Sequence, residues 1–340
     1  MRVLLGWHAT PEEVRSVAQH LPEGVEVTAL EYSPDLPFPY GADRRQLTRA
    51  LAEADAVMTW VLPPESVEAA TRLKFVSWLH SGCDRLPFAL FRERGIQLAN
   101  VPDAHQPAIA EHAWALLLAC AKQVVRKHLA HVRGDYVPYW REPGVGTHLY
   151  GQTLVLIGLG GIGRRVAAVA KAFGMRVVAV KRDPTTGHEH ADLVLGPDRL
   201  HEALGMGDFV LVAAPSTEAT RGMIDAAALA AMRSHAYLVN IARGDLVDEV
   251  AVHRALVEER IAGFASDVWW DYTDAMPPDQ HFGSPSRLGV HRLPQVVVSG
   301  DQASNVFFAR DAMLRVGTEN LAAFLRGERP RHLVDLSLGY

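Results

Sequence analysis

The sequence predicts an α/β protein of two doubly wound domains, each a parallel sheet covered by helices on both faces. Three observations carry this. Short apolar runs alternate with helical patterns through the first hundred residues. A second alternating series begins at Leu154. The chain is 340 residues long, about two domains at roughly 150 residues each. Strands separated by helices pair in parallel, because each crossover helix packs back on the sheet.

In the first series, residues 3–5, 25–30, 56–58, 75–79 and 96–98 read as strands. Between them, residues 11–20, 44–54, 64–71 and 87–94 carry helical patterns. One long helix is expected from about residue 109 to 133, opened by Pro107, whose missing N–H costs nothing in a first turn. In the second series, residues 154–157, 177–180, 193–195, 209–213, 237–241 and 263–266 are strand-sized runs at helix-separated intervals. Residues 271–293 are rich in Pro, Asp and Gly and read as a loop. A strand over 296–299, a helix over 307–325 and a tail containing proline complete the chain.

Composition excludes several classes. Hydrophobic residues make up 49% and charged residues 21%, so the chain can bury a core and disorder is not its main theme. The net charge is -5 and no Lys/Arg block occurs, which argues against nucleic acid as a partner. Two cysteines, Cys83 and Cys120, make no disulfide framework and suit a reducing compartment. The apolar start before His8 is too short for a signal peptide, and the run 113–121 is too short for a membrane helix. A soluble cytoplasmic protein is expected. His188 and His190 share a loop but lack further ligands at metal-site spacing, so no metal is expected.

The strongest motif is Gly158-Leu159-Gly160-Gly161-Ile162-Gly163, directly after the strand at 154–157 and directly before a helical pattern. In that context Gly158 permits the tight turn, Gly160 lets backbone approach a phosphate, and Gly163 lets helix pack on strand. Gly161 and Ile162 then open the helix, whose N-terminal N–H groups and dipole suit a pyrophosphate. An NAD site would place a carboxylate at the end of the next strand. Here that strand runs into Lys181-Arg182. Two cations there suit a 2′-phosphate, so NADP(H) is expected over NAD(H), with NAD(H) still possible.

These motifs converge on a family. The chain resembles the D-isomer-specific 2-hydroxyacid dehydrogenases, the group that includes phosphoglycerate, glyoxylate/hydroxypyruvate and formate dehydrogenases. The resemblance rests on His80-Ser81-Gly82-Cys83-Asp84, Ala110-Glu111-His112, the glycine fingerprint, Thr217-Glu218-Ala219-Thr220-Arg221-Gly222, Val239-Asn240-Ile241-Ala242-Arg243-Gly244 and Ala265-Ser266-Asp267-Val268. It implies a Rossmann cofactor domain, residues 104–295, inserted into a flavodoxin-like substrate domain made of residues 1–103 and 296–340. It implies cofactor contacts at Pro215, Thr220, Ala242 and Asp267, the last holding the nicotinamide carboxamide. It implies a substrate site of Arg243 with the backbone of Ser81, Gly82 and Cys83, and a homodimer through the long helix. A guanidinium fork suits a carboxylate and its neighbouring carbonyl oxygen.

The sequence departs from this family at two positions. The family's Glu falls 29 residues after Arg243, where this chain has Tyr272. The family's His falls after the strand at 296–299, where this chain has Asp301. Imidazole, with a pKa near 6.5, exchanges protons at neutral pH. An Asp, near 3.9, donates only if burial raises it. Asp301 can be a raised acid or an ionised partner of a cationic group, Tyr272 can be the donor, or ordinary 2-oxo acid reduction is lost. His281 and His291 precede the altered turn and are expected to be solvated; His112 is expected to be structural. Trp60, Trp269 and Trp270 either pack the core or wall the pocket.

The expected function is hydride transfer between NADP(H) and a small anionic, carboxylate-bearing substrate, with Arg243, Asp301 and Tyr272 as the catalytic set. The alternatives are a catalytically silent dinucleotide-binding regulator and a formate-type hydride transfer that needs no proton relay.

Overall fold

The computed structural model describes residues 1–31, 42–140, 145–270 and 285–339. They fall into two units. The described residues of one lie in 1–31, 42–105 and 306–339, and those of the other in 106–140, 145–270 and 285–305.

The first unit alternates β1 (Arg2–Leu5), α1 (Pro11–Ala18), β2 (Glu26–Ala29), α2 (Arg44–Ala52), β3 (Ala56–Thr59), α3 (Pro64–Ala69), β4 (Phe75–Trp78), α4 (Phe88–Arg94) and β5 (Gln97–Ala99). Its five strands are parallel, in the order β2-β1-β3-β4-β5. Both faces are buried, as a sheet covered by crossover helices requires. Val3, Leu5, Met58 and Phe75 pack on one side, and Leu4, Val57, Val76 and Leu98 on the other. Helix α1 starts in a capping box: Glu13 N–H donates to Thr10 Oγ1 at 3.2 Å and Thr10 N–H to Glu13 Oε2 at 2.9 Å.

Helix α5 (Pro102–Ala121) leads into the second unit and is followed by α6 (Val124–Val132). The single long helix expected over 109–133 is therefore two, bent by 63°. Gln123 causes the break with a left-handed φ of 54°, which no helix can continue through. Pro107 lies inside α5, and Pro102 takes the first position instead. No single described helix is long and apolar enough to cross a membrane.

The second unit contains β6 (Thr153–Ile157), α7 (Gly161–Ala172), β7 (Arg176–Val180), β8 (Leu193–Leu195), α8 (Leu200–Met206), β9 (Phe209–Val212), α9 (Ala226–Ala231), β10 (Tyr237–Asn240), α10 (Glu249–Val257), β11 (Gly263–Ser266) and β12 (Val296–Val298). The seven strands are parallel in the order β12-β11-β10-β9-β6-β7-β8. The strand order reverses between β6 and β9, the topological switch point where such sheets bind ligands. The chain returns to the first unit as α11 (Ala309–Leu325), packed on β3 and β4. The sequence boundaries at 103/104 and 295/296 move to 105/106 and 305/306. The second shift has a clear reason: β12 pairs with β11, so residues 296–298 complete the second sheet.

Candidate active site

The glycine fingerprint joins β6 to α7 at the switch point. Gly158 has φ +102°, and a Cβ on it would sit 2.7 Å from the Ala213 carbonyl of the neighbouring strand's end. A Cβ on Gly163 would run into the Gly158 carbonyl. Gly160 faces open space and N-caps α7 without a side-chain bond, which leaves the first helical N–H groups for an anion. Backbone here can approach a pyrophosphate, so the loop fits the dinucleotide. Gln106 was not legible as part of this loop. Its amide lies where a Gly161 side chain would go.

The end of β7 carries Lys181 and Arg182, as expected from the sequence. Lys181 Nζ folds over the following turn, donating to Thr186 O at 2.5 Å. The carboxylate of Asp183, next in the chain, accepts from Thr185 N–H at 3.0 Å and Thr185 Oγ1 at 2.5 Å. These Thr185 bonds hold its carboxyl below the usual range. Pro215 and Thr220 belong to one tight turn after β9. Thr220 Oγ1 donates to Pro215 O at 2.6 Å and accepts from Thr217 N–H at 2.9 Å, so this hydroxyl shapes the loop.

Arg243 follows β10 in an extended backbone, half-buried. Asn240 braces the peptide on either side, with Nδ2 on Arg243 O at 2.8 Å and Oδ1 on Ala242 N–H at 3.1 Å. Arg243 Nη1 donates to Ala242 O at 2.8 Å.

Asp267, expected to reach the nicotinamide carboxamide, is 2% exposed and its oxygens are taken up within the protein. Oδ1 accepts from Ser299 Oγ at 2.6 Å and Gln302 N–H at 3.0 Å, and Oδ2 from Ala303 N–H at 3.0 Å. Its backbone carbonyl accepts from Asp301 N–H at 2.7 Å. Asp267 thus brackets Asp301, which is exposed with a left-handed φ of 55°. His112, expected to be purely structural, joins this network: its Nε2 is 2.8 Å from Ser299 Oγ and 3.5 Å from Asp267 Oδ1. Nothing in the sequence linked it to Ser299.

Tyr272 and His281 lie outside the described residues. His291 is half-buried, edge-on to Trp269, and burial lowers its pKa. Trp269 is 3% exposed and donates to Ser299 O at 2.8 Å, a core position. Trp270 packs on the same cluster and donates to Val247 O at 2.6 Å. Cys120 is buried, and desolvation pushes its thiol up to about 12. In the first unit, Ser81, Gly82 and Cys83 follow β4 at the carboxyl end of its sheet. Cys83 is 3% exposed, which leaves it no access for nucleophilic chemistry. Trp60 is half-buried between Trp7, at 4.9 Å, and Arg310, over its ring at 5.8 Å.

The family profile described as "D-isomer specific 2-hydroxyacid dehydrogenase, NAD binding domain" matches residues 114–299. The chain belongs to the D-isomer-specific 2-hydroxyacid dehydrogenases. It is 34% identical to a glyoxylate reductase of Pyrococcus furiosus over 93% of this chain and 90% of that one. It is 30% identical to a D-3-phosphoglycerate dehydrogenase of Methanocaldococcus jannaschii, over 87% of this chain and 54% of that one. Among solved structures, a Thermus thermophilus protein superposes with a TM-score of 0.76 at 31% identity, covering 98% of this chain and 100% of that one. An NADPH-dependent glyoxylate/hydroxypyruvate reductase of Sinorhizobium meliloti gives 0.77 at 25% identity, covering 99% and 98%. As a member of this family the chain is an oxidoreductase that uses a nicotinamide dinucleotide, and the two parallel-sheet domains are those the family resemblance implied.

Proposed function

We propose that this dehydrogenase reduces small 2-oxo acids of the glyoxylate class and prefers NADPH. The observation that carries the cofactor choice is the end of β7. Lys181 and Arg182 stand where a ribose-binding carboxylate would stand, and the carboxylate of Asp183 is turned into its own Thr185 turn. A 2′-phosphate there meets two cations. The glyoxylate reductases among its relatives, and the NADPH-dependent enzyme of Sinorhizobium meliloti, support the same reading.

Arg243 is the residue we assign to the oxo acid. Its fork matches a carboxylate and the adjacent carbonyl oxygen, and it gains strength as that oxygen becomes an alkoxide. When bound, the reduced nicotinamide supplies the hydride. The alkoxide then needs a proton. Asp301 occupies the position the family gives to its His but is exposed in the unliganded chain, so we assign it the proton on the condition that bound cofactor and substrate desolvate it, with Tyr272 as the alternative donor. Asp267, Ala242, Thr220 and Pro215 keep the loops that line the cofactor in place. The α5–α6 surface, with Leu129 and Val132 exposed, is the face we assign to a homodimer.

Absorbance at the nicotinamide band tests this directly. Glyoxylate should consume NADPH with a KM at least tenfold below that for NADH. Lys181→Asp should erase that preference. Equal KM values in the wild type would refute the preference, and no consumption with any small 2-oxo acid would refute the reductase.

A further inference from the structure

The turn that carries Asp301 is tied to α5 by one line of hydrogen bonds, and every group in that line belongs to the second unit. Ser299 is its centre. The backbone of Ser299 is fixed on both sides: its N–H donates to Ser266 O at 3.0 Å, and its carbonyl accepts from Trp269 Nε1 at 2.8 Å. Only the hydroxyl is left to turn, among the staggered positions of χ1. Its single hydrogen goes to Asp267 Oδ1 at 2.6 Å, because a carboxylate oxygen only accepts. His112 Nε2, 2.8 Å from the same Oγ, must then carry a hydrogen and donate it. The bonds therefore run one way, from His112 to Ser299 to Asp267. Asp267 carries the restraint onward: Oδ1 takes Gln302 N–H at 3.0 Å, Oδ2 takes Ala303 N–H at 3.0 Å, and its backbone carbonyl takes Asp301 N–H at 2.7 Å.

We propose that His112 is a positioning residue for the turn at 299–303. Its part is to hold the Ser299 hydroxyl in the one rotamer that meets Asp267. The helix under it is firm: the neighbouring Ala113, Trp114, Leu116 and Leu117 are buried in the second unit's core, so the imidazole projects from a fixed backbone. What the line holds against is strain. Asp301 has a left-handed φ of 55°, which a residue with a Cβ adopts only under restraint. Without the His112 N–H, the Ser299 hydroxyl can swing to water, and Asp267 Oδ1 keeps only Gln302 N–H. Water then competes for the carboxylate, and the amides after Ser299 open more often. The bearing of this on turnover rests on the assignment of the proton to Asp301; the restraint itself does not.

His112→Phe keeps a ring and removes the donor, and His112→Gln restores a donor at about the reach of Nε2. Hydrogen–deuterium exchange read by mass spectrometry, on the full-length protein with saturating NADPH, follows the peptide 299–304 and, as a control, β11. His112→Phe should speed exchange in 299–304 at least tenfold and leave β11 unchanged, and His112→Gln should stay within about threefold of the wild type. Turnover of glyoxylate should follow, with kcat at least fivefold lower in His112→Phe, NADPH affinity within about twofold, and recovery in His112→Gln. In an Asp301→Ala background His112→Phe should cost no further turnover, since it acts through that turn. Unchanged exchange in a folded His112→Phe protein would overturn the proposal. So would equal acceleration in β11 or an equal loss in His112→Gln, the marks of a merely structural role. If His112→Phe does not fold, Ser299→Ala cuts the same line at its centre, and unchanged exchange there overturns the proposal equally. Faster exchange with unchanged turnover would support the positioning and sink only the assignment of the proton to Asp301.

Discussion

Asp267→Ala removes the carboxylate that brackets Asp301, and its cost can be worked from the bonds. Three side-chain hydrogen bonds vanish, from Ser299 Oγ, Gln302 N–H and Ala303 N–H, while the backbone bond from Asp301 N–H survives. Ser299 can turn to His112, and Gln302 is exposed, so water replaces much of what those two lose. Ala303 is buried, and its N–H is left without a partner at about 1–3 kcal/mol. With the lost charge-assisted bonds the total comes to roughly 3–5 kcal/mol. At about 2–4 °C per kcal/mol for a unit of this size, the second unit's melting transition should fall by about 6–20 °C. Differential scanning calorimetry reads this, with the two units allowed separate transitions. Turnover of glyoxylate should fall at least tenfold alongside, because the left-handed Asp301 loses its frame. Asp267→Asn should be intermediate, as one amide oxygen remains an acceptor and its NH2 faces a donor. A melting point within 2 °C of the wild type, about one kcal/mol at most, would refute the bracketing role.

Two further outcomes follow from the geometry. Asp301→Ala should lower kcat at least tenfold, about 1.4 kcal/mol of barrier, with NADPH affinity unchanged, and Asp301→His should keep or raise activity on simple 2-oxo acids; untouched turnover in Asp301→Ala would pass the role to Tyr272. His105 is buried, its Nε2 has no partner among the described residues, and desolvation pushes its pKa down against the opposing Leu79 carbonyl. The unfolded chain takes this proton near pH 6.5 and the folded one resists it, so stability holds above that pH and falls below it, by up to about 1.4 kcal/mol per pH unit. His105→Asn should therefore show a smaller loss of melting temperature between pH 7.5 and 5.5 than the wild type, and an equal loss would refute the assignment.

Much of the site was legible because its parts are local. The glycine fingerprint, Lys181-Arg182, Arg243 and Asp301 each follow a strand whose apolar run can be read directly, and the structure places each at that strand's end. Other parts were not legible. The bend at Gln123 leaves no mark in an apolar helical pattern, since one residue with a left-handed φ does not change the spacing of apolar residues on either side of it. Asp267 matched a motif, yet which groups fill its oxygens depends on a turn more than thirty residues later.

What the sequence determined by itself was the alternation of strands and helices, hence two parallel sheets, and the place of the glycine fingerprint between β6 and α7. Period-two and helical burial patterns are set by backbone geometry, and a glycine's freedom is a property of that residue alone. What the tertiary structure decided was which polar groups meet. Trp78 and Gly82 are near in sequence, but Asn100 reaches Ser81 across 19 residues, Trp269 reaches Ser299 across 30 and His112 reaches Ser299 across 187. Such pairs carry no periodic signal, because a single directional bond needs only two atoms brought within about 3 Å by packed cores. The same packing placed β12 in the second sheet and moved the domain boundary to 305/306.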